Sequence, residues 1–105
     1  MDPFASALDH AAAIRRGDYT PEELTRLYLE RIERLNPELN HYVLVTAELA
    51  LEMSRMREDR VLAGVPVSIK ELVSLAGYPT TFGSRALRDF QLPFDDYVVS
   101  RLKEG

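Results

Sequence analysis

The residue in this chain with the clearest capacity for chemistry is a lysine closing a short apolar run. In Gly64-Val65-Pro66-Val67-Ser68-Ile69-Lys70, alternation puts Val65, Val67 and Ile69 on one face of a predicted strand and Pro66, Ser68 and Lys70 on the other. The carboxyl end of a strand is where open α/β sheets place their ligand crevices. A lysine in water, with a pKa near ~10.4, is a poor base at neutral pH. Taken out of water, a lysine favours the neutral amine, which can accept a proton from a serine hydroxyl and so activate it as a nucleophile. The plain alternative is a solvated lysine at a strand end, and position alone favours that alternative. Ser68 shares the strand face of Lys70, roughly ~6–7 Å away by strand rise. No flanking glycines build an oxyanion site beside it, so Ser68 reads as a small packing residue. Glu71 points the opposite way if the strand continues and receives no chemical role.

Other chemistries find little support. Cysteine is absent, which excludes disulfides and thiolate metal sites. The two histidines, His10 and His41, are far apart and lack a carboxylate at ligand spacing, so no metal site is expected. No cofactor is implied. A net charge of −4 and a pI of about 5.1, with no lysine-rich run, argue against direct nucleic-acid binding. The start, Met1-Asp2-Pro3-Phe4, lacks the basic and apolar segments of a secretory signal, and no run approaches the ~18 apolar residues of a membrane span. The cytoplasm is the expected compartment, with no membrane partner.

The elements that must position Lys70 are mostly helical. Leu8, Ala11, Ala12 and Ile14 predict a helix over about 6–16, started by Asp2 or Ser6 and stopped by Gly17. Thr20, Pro21 and Glu23 form a capping-box start for a second helix over 21–35. Leu24, Leu27, Tyr28, Ile32 and Leu35 line one of its faces, Glu22–Arg26 and Glu30–Arg34 pair on the other, and Asn36-Pro37 should end it. Tyr42-Val43-Leu44-Val45 reads as a strand over 42–45. Thr46 then caps a third helix over 47–57, with Leu49, Met53 and Met56 as core-facing residues. After the strand at 65–70, Leu72–Ala76 reads as a second short strand or a helical turn, and Gly77–Thr81 as a loop. A last helix is expected over 96–103, capped by Asp95. Helices flanking short strands indicate an α/β layer architecture. Too few strands are present to close a sheet, so the 1–105 stretch is expected to be one part of a single, larger domain.

Three stretches of this pattern resemble the amino-terminal part of the amidase signature family, from Ser6 to Gly105. Tyr28-Leu29-Glu30-Arg31-Ile32 with Leu35-Asn36-Pro37 is similar to the family's second helix and its end. Leu62 through Glu71 resembles its lysine strand, and Ala76 through Leu87 the loop that follows. The ordered pair Gly-Val-Pro-Val-x-Ile-Lys, then Gly-x-Pro-Thr-Thr-x-Gly-Ser, is the specific part of the match.

The resemblance implies amino-terminal helices plus the first strands of a mixed sheet, incomplete in this chain. It also implies a Ser–cis-Ser–Lys triad that cleaves carboxamide C–N bonds through an acyl-enzyme. In that triad Lys70 would deprotonate a bridging serine, which activates the nucleophilic one. The six serines, at 6, 54, 68, 74, 84 and 100, include none in a Gly-Ser-Ser-Gly context, so the chain alone is expected to be inactive. Ser84 either lines the substrate pocket of the complete enzyme or simply caps its loop. The implied partners are a small-molecule amide substrate and, for assembly, a homodimer of the full-length enzyme or a complementing chain. Phe82-Gly83-Ser84-Arg85 looks closer to general amidases than to the transamidating subunit of the family. A reading from another class, a non-catalytic helical interaction module that docks its amphipathic helices in a partner, has little use for the 65–70 strand.

Overall fold

A computed structural model describes residues 1–56 and 60–105. They form two compact units, Met1–Pro66 and Val67–Gly105. The first holds helices α1 (Ala7–Arg16), α2 (Pro21–Leu39) and α3 (Ala47–Ser54); the second holds a single 3-10 turn at Arg85–Leu87 and helix α4 (Tyr97–Glu104).

In the first unit, local capping chemistry sets the helix ends. The Ser6 hydroxyl accepts the Asp9 backbone N–H at 3.1 Å and starts α1; Gly17, at φ 81°, stops it in the left-handed region. The capping box of α2 is complete: Thr20 Oγ1 accepts the Glu23 N–H at 3.1 Å, and Glu23 Oε2 accepts the Thr20 N–H at 2.7 Å. That helix runs past its expected end, carrying Pro37 inside it and stopping at Asn40, which takes φ 52°. Pro37 lies in the last turn, and the Glu33 carbonyl that its missing N–H would serve belongs to an exposed residue, where water can take its place. Asn36 helps hold this end by bonding both backbone groups of Tyr42 at 2.9 Å. Helix α3 ends at Ser54, and Thr46 occupies its N-cap position without a side-chain cap bond. The Arg57 end of the expected helix lies outside the described residues.

Helices α2 and α3 pack together, and the buried apolar residues of this unit are Ala11, Ala13 and Leu24. Burial on α1 is rotated from the expected stripe: His10, Ala11 and Ala13 are inside, whereas Leu8 is exposed. The polar anchors of His10 turn the helix this way. Its Nδ1 meets the Tyr19 hydroxyl at 2.6 Å and its Nε2 the Tyr28 hydroxyl at 2.9 Å. The Tyr28 hydroxyl donates to the Pro3 carbonyl, so it accepts from Nε2–H, which leaves Nδ1 to accept from Tyr19. Met56, expected in the core, is exposed.

Neither 42–45 nor 65–70 forms a strand, and no strand is present among the described residues. A strand is held by ladder bonds to a neighbour, and β-prone side chains alone do not create one. Pairing among the described residues is limited to an isolated antiparallel bridge between Pro79 and Gln91. The sheet component of the expected α/β class is therefore not formed here.

In the second unit, two stretches run past each other in opposite directions. The Asp96 N–H donates to the Ser74 carbonyl at 3.0 Å, the Ala76 N–H to Asp95 Oδ1 at 2.8 Å, and the Thr80 N–H to the Phe90 carbonyl at 2.8 Å. Leu72–Ala76 is therefore neither a strand nor a helix; a turn at Lys70–Val73, with the Val73 N–H on the Lys70 carbonyl, leads into it. Helix α4 starts one residue later than expected, with Asp96 at the N-cap. Asp95 serves elsewhere, accepting from Lys103 Nζ at 2.6 Å and from Ala76. Those two donors, Lys103 first, hold its carboxyl below the usual aspartate range.

Candidate functional site

The chain ahead of the lysine segment, up to Pro66, belongs to the first unit. The segment enters through a turn in which Ala63 and Gly64 take positive φ, 51° and 82°, and the Val65 N–H donates to the Leu62 carbonyl. A side chain at Gly64 would put its Cβ 2.9 Å from Pro21 Cβ, so this backbone lies directly on the first residue of α2. Arg15, the last but one residue of α1, donates from Nη2 to the Arg60 and Val61 carbonyls, both at 2.7 Å. Nearby on α2, Glu22 accepts from Arg55 and from Arg26, at 3.1 and 2.7 Å. The Arg55 guanidinium, followed by that of Arg26, holds the Glu22 carboxyl down to about 2. Arg15 and Arg55 were legible in the sequence only as surface charge, because their partners are 33 to 46 positions away.

Lys70 itself is exposed, one residue before Glu71, which is half-buried. The described residues leave its side chain open to water. No hydrogen bond joins Lys70 to Ser84 among the described residues, and Ser68 is exposed. Ser84 is half-buried at the N-cap of the 3-10 turn, with extended φ and ψ, and its hydroxyl makes no cap bond there. The two residues before it, Phe82 at φ 51° and Gly83 at φ 75°, are both left-handed. For an aromatic residue that conformation is costly, of order 1–3 kcal/mol, and it is kept where surrounding structure or function demands it. Thr81 Oγ1 accepts the Gly83 N–H and closes the turn that presents Ser84.

Among the described residues no group of three or more His, Cys, Asp or Glu side chains could hold a metal ion, and no helix is long and apolar enough to cross a membrane. An open groove of about 540 Å³ lies along α2 and the start of α3, between Arg26, Ile32, Asn36 and Ala47.

The segment Gly64–Lys70, the turn ahead of Ser84, α3, α4 and all of α2 but its first two residues fall within one family match. The amidase family model covers residues 23–105. The chain belongs to the amidase family. Curated relatives extend the match toward the amino terminus. A glutamyl-tRNA(Gln) amidotransferase subunit from Nitrosococcus oceani is 36% identical, over 93% of this chain and 22% of its own length. The protein of the same description from Methylococcus capsulatus is 38% identical over 87% of this chain and 20% of its own. That from Syntrophobacter fumaroxidans is 40% identical over the whole of this chain and 23% of its own. This amidase-family chain thus spans about a fifth of the length of the curated relatives it matches. All three carry the amidotransferase description.

Proposed function

We propose that these residues form the amino-terminal part of an amidase domain that cleaves carboxamide C–N bonds, with Lys70 as the base of a Ser–cis-Ser–Lys triad. The observation that carries the reading is the family match over 23–105, which includes Lys70 in its Gly-Val-Pro-Val-x-Ile-Lys setting. In this reading the rest of the domain supplies both serines and the oxyanion donors. It also covers Lys70, and excluding water there favours the amine that takes a proton from the bridging serine. The nucleophilic serine takes the acyl group and ammonia leaves with the proton carried by the triad; water then frees the serine and releases the acyl group as a carboxylate. The relatives' description supports a further fate for that ammonia, handed to a tRNA-linked acyl acceptor in a multi-subunit assembly. Ser84, presented by a strained turn, lines the pocket for the amide. The compartment is the cytoplasm.

The test joins residues 1–105 to the part of the Nitrosococcus oceani protein that follows its matched region. Lys70→Ala in that fusion is expected to cut amide hydrolysis at least ~10²-fold, the usual effect of losing a positioned acid–base group. Near-native turnover by the variant would remove Lys70 from the mechanism. The 105 residues alone are expected to turn over no amide. The groove along α2 and α3 favours a second reading, a helical interaction module, and amide turnover by the fusion decides against it.

A further inference from the structure

The turn ahead of the lysine segment is strained and held from two sides. Ala63 carries a Cβ yet sits at φ 51°, a conformation that residues other than glycine keep only where their surroundings require it. Gly64 follows at φ 82°. Two backbone bonds close the turn, Ala63 N–H to the Arg60 carbonyl at 3.1 Å and Val65 N–H to the Leu62 carbonyl at 2.9 Å. On one side Gly64 lies against Pro21, the first residue of α2. On the other, Arg15 in the last turn of α1 brings a single nitrogen, Nη2, to the Arg60 and Val61 carbonyls, both at 2.7 Å. Gly17 stops α1 and the Thr20–Glu23 box starts α2, so Arg15 and Pro21 stand on one capped corner.

An exposed arginine ordinarily keeps its charged head in water. Arg15 instead commits two charge-assisted donors to backbone 45 and 46 positions away. The backbone it grips runs through Gly64 into Val65–Lys70. Side chains alternate along an extended segment, so a slip of one residue at the turn carries Lys70 to the opposite face. Arg15 has no bond to Lys70 among the described residues, and its influence on the amine travels along the chain.

We propose that Arg15 is a positioning residue for the base of amide cleavage, pinning the 60–64 turn so that the lysine segment leaves it in one register. The reaction named here rests on the amidase reading, whereas the pin rests on the two Arg15 bonds.

In the 105-residue chain, Arg15→Met is expected to move the Ala63 carbon chemical shifts from left-handed to coil values, while the helical circular dichroism of α1 and α2 stays. Arg16→Met, which removes an exposed pair with Asp18, changes neither. Turnover is read in the fusion to the remainder of the Nitrosococcus oceani protein, as ammonia released from primary carboxamides such as acetamide and glutamine. There Arg15→Met lowers kcat at least ~10-fold and leaves KM within ~3-fold, the mark of a loss felt in the chemical step. Adding Gly64→Ala to Arg15→Met costs at most ~3-fold beyond the worse single variant, since both disturb one turn.

Unmoved Ala63 shifts overturn the pin. So does a collapse of the helical circular dichroism, because the contact then supports the fold and not the turn. Unchanged kcat, an effect on KM alone, or losses that multiply in the double variant overturn the positioning role and leave Lys70 as the base. A parent fusion that releases no ammonia sinks the amidase reading and the positioning role with it, and the Ala63 shifts still decide the pin.

Discussion

The two units of this chain are held in different ways. From Met1 to Pro66, the starts of α1 and α2 are closed by neighbouring side chains, and polar contacts such as His10 between Tyr19 and Tyr28 join the helices. From Val67 to Gly105, backbone bonds and the Asp95–Lys103 pair hold loops together around one buried valine. Helices complete their backbone bonding within a few residues, so a short chain can finish them. Strands complete theirs against distant segments, and β-prone residues that meet no such segment stay in loops.

This contrast can be broken most decisively at the buried apolar residues. Leu24→Ala is expected to destabilise the helical unit by about 2–5 kcal/mol in urea titrations followed by helical circular dichroism. Val99→Ala should move the same transition by less than ~1 kcal/mol, because locally weak regions add little to global stability. A larger loss from Val99→Ala would show that the second unit is self-supporting. Gly64→Ala comes next. It combines a positive φ with a Cβ 2.9 Å from Pro21 and is expected to cost about 1–3 kcal/mol. In the complete enzyme it should also lower turnover, since Gly64 lies six residues before Lys70 in the segment that leads to it.

The smallest effects distinguish the units in acid. Both Glu22 and Asp95 have depressed pKa values. The stability each contributes is complete above the unfolded carboxylate range and is lost as pH falls through the folded value. Carboxylate titration by NMR is expected to give a midpoint near 2 for Glu22, rising toward the ordinary range in Arg55→Ala. Asp95 should titrate below the usual aspartate range and rise toward it in Lys103→Ala, with the Ala76 N–H still holding it down. An ordinary Asp95 midpoint beside an unchanged Glu22 would confine intact ion pairing to the helical unit.

The sites differed in how far they could be read in advance. Ser6, Gly17, Thr20 and Glu23 announced their helices because a cap and its partner are three residues apart. Lys70 was legible through its neighbours' resemblance to a known family, and the match over 23–105 supports that family. His10 was read as an isolated histidine because its tyrosine partners stand nine and eighteen positions away. Asp95 looked like a cap by its place ahead of a helix, yet it bonds Ala76 and Lys103 instead.

The residue order of this chain determined its helices, the starting caps of α1 and α2, and its family, since those depend on contacts or motifs a few positions long. Tertiary structure alone decided that α1 turns His10 inward, that Arg15 grips the carbonyls ahead of the lysine segment, and that 65–70 forms no strand. Each of these depends on whether a distant segment is present to complete a hydrogen bond or exclude water, and that is a property of the assembled chain.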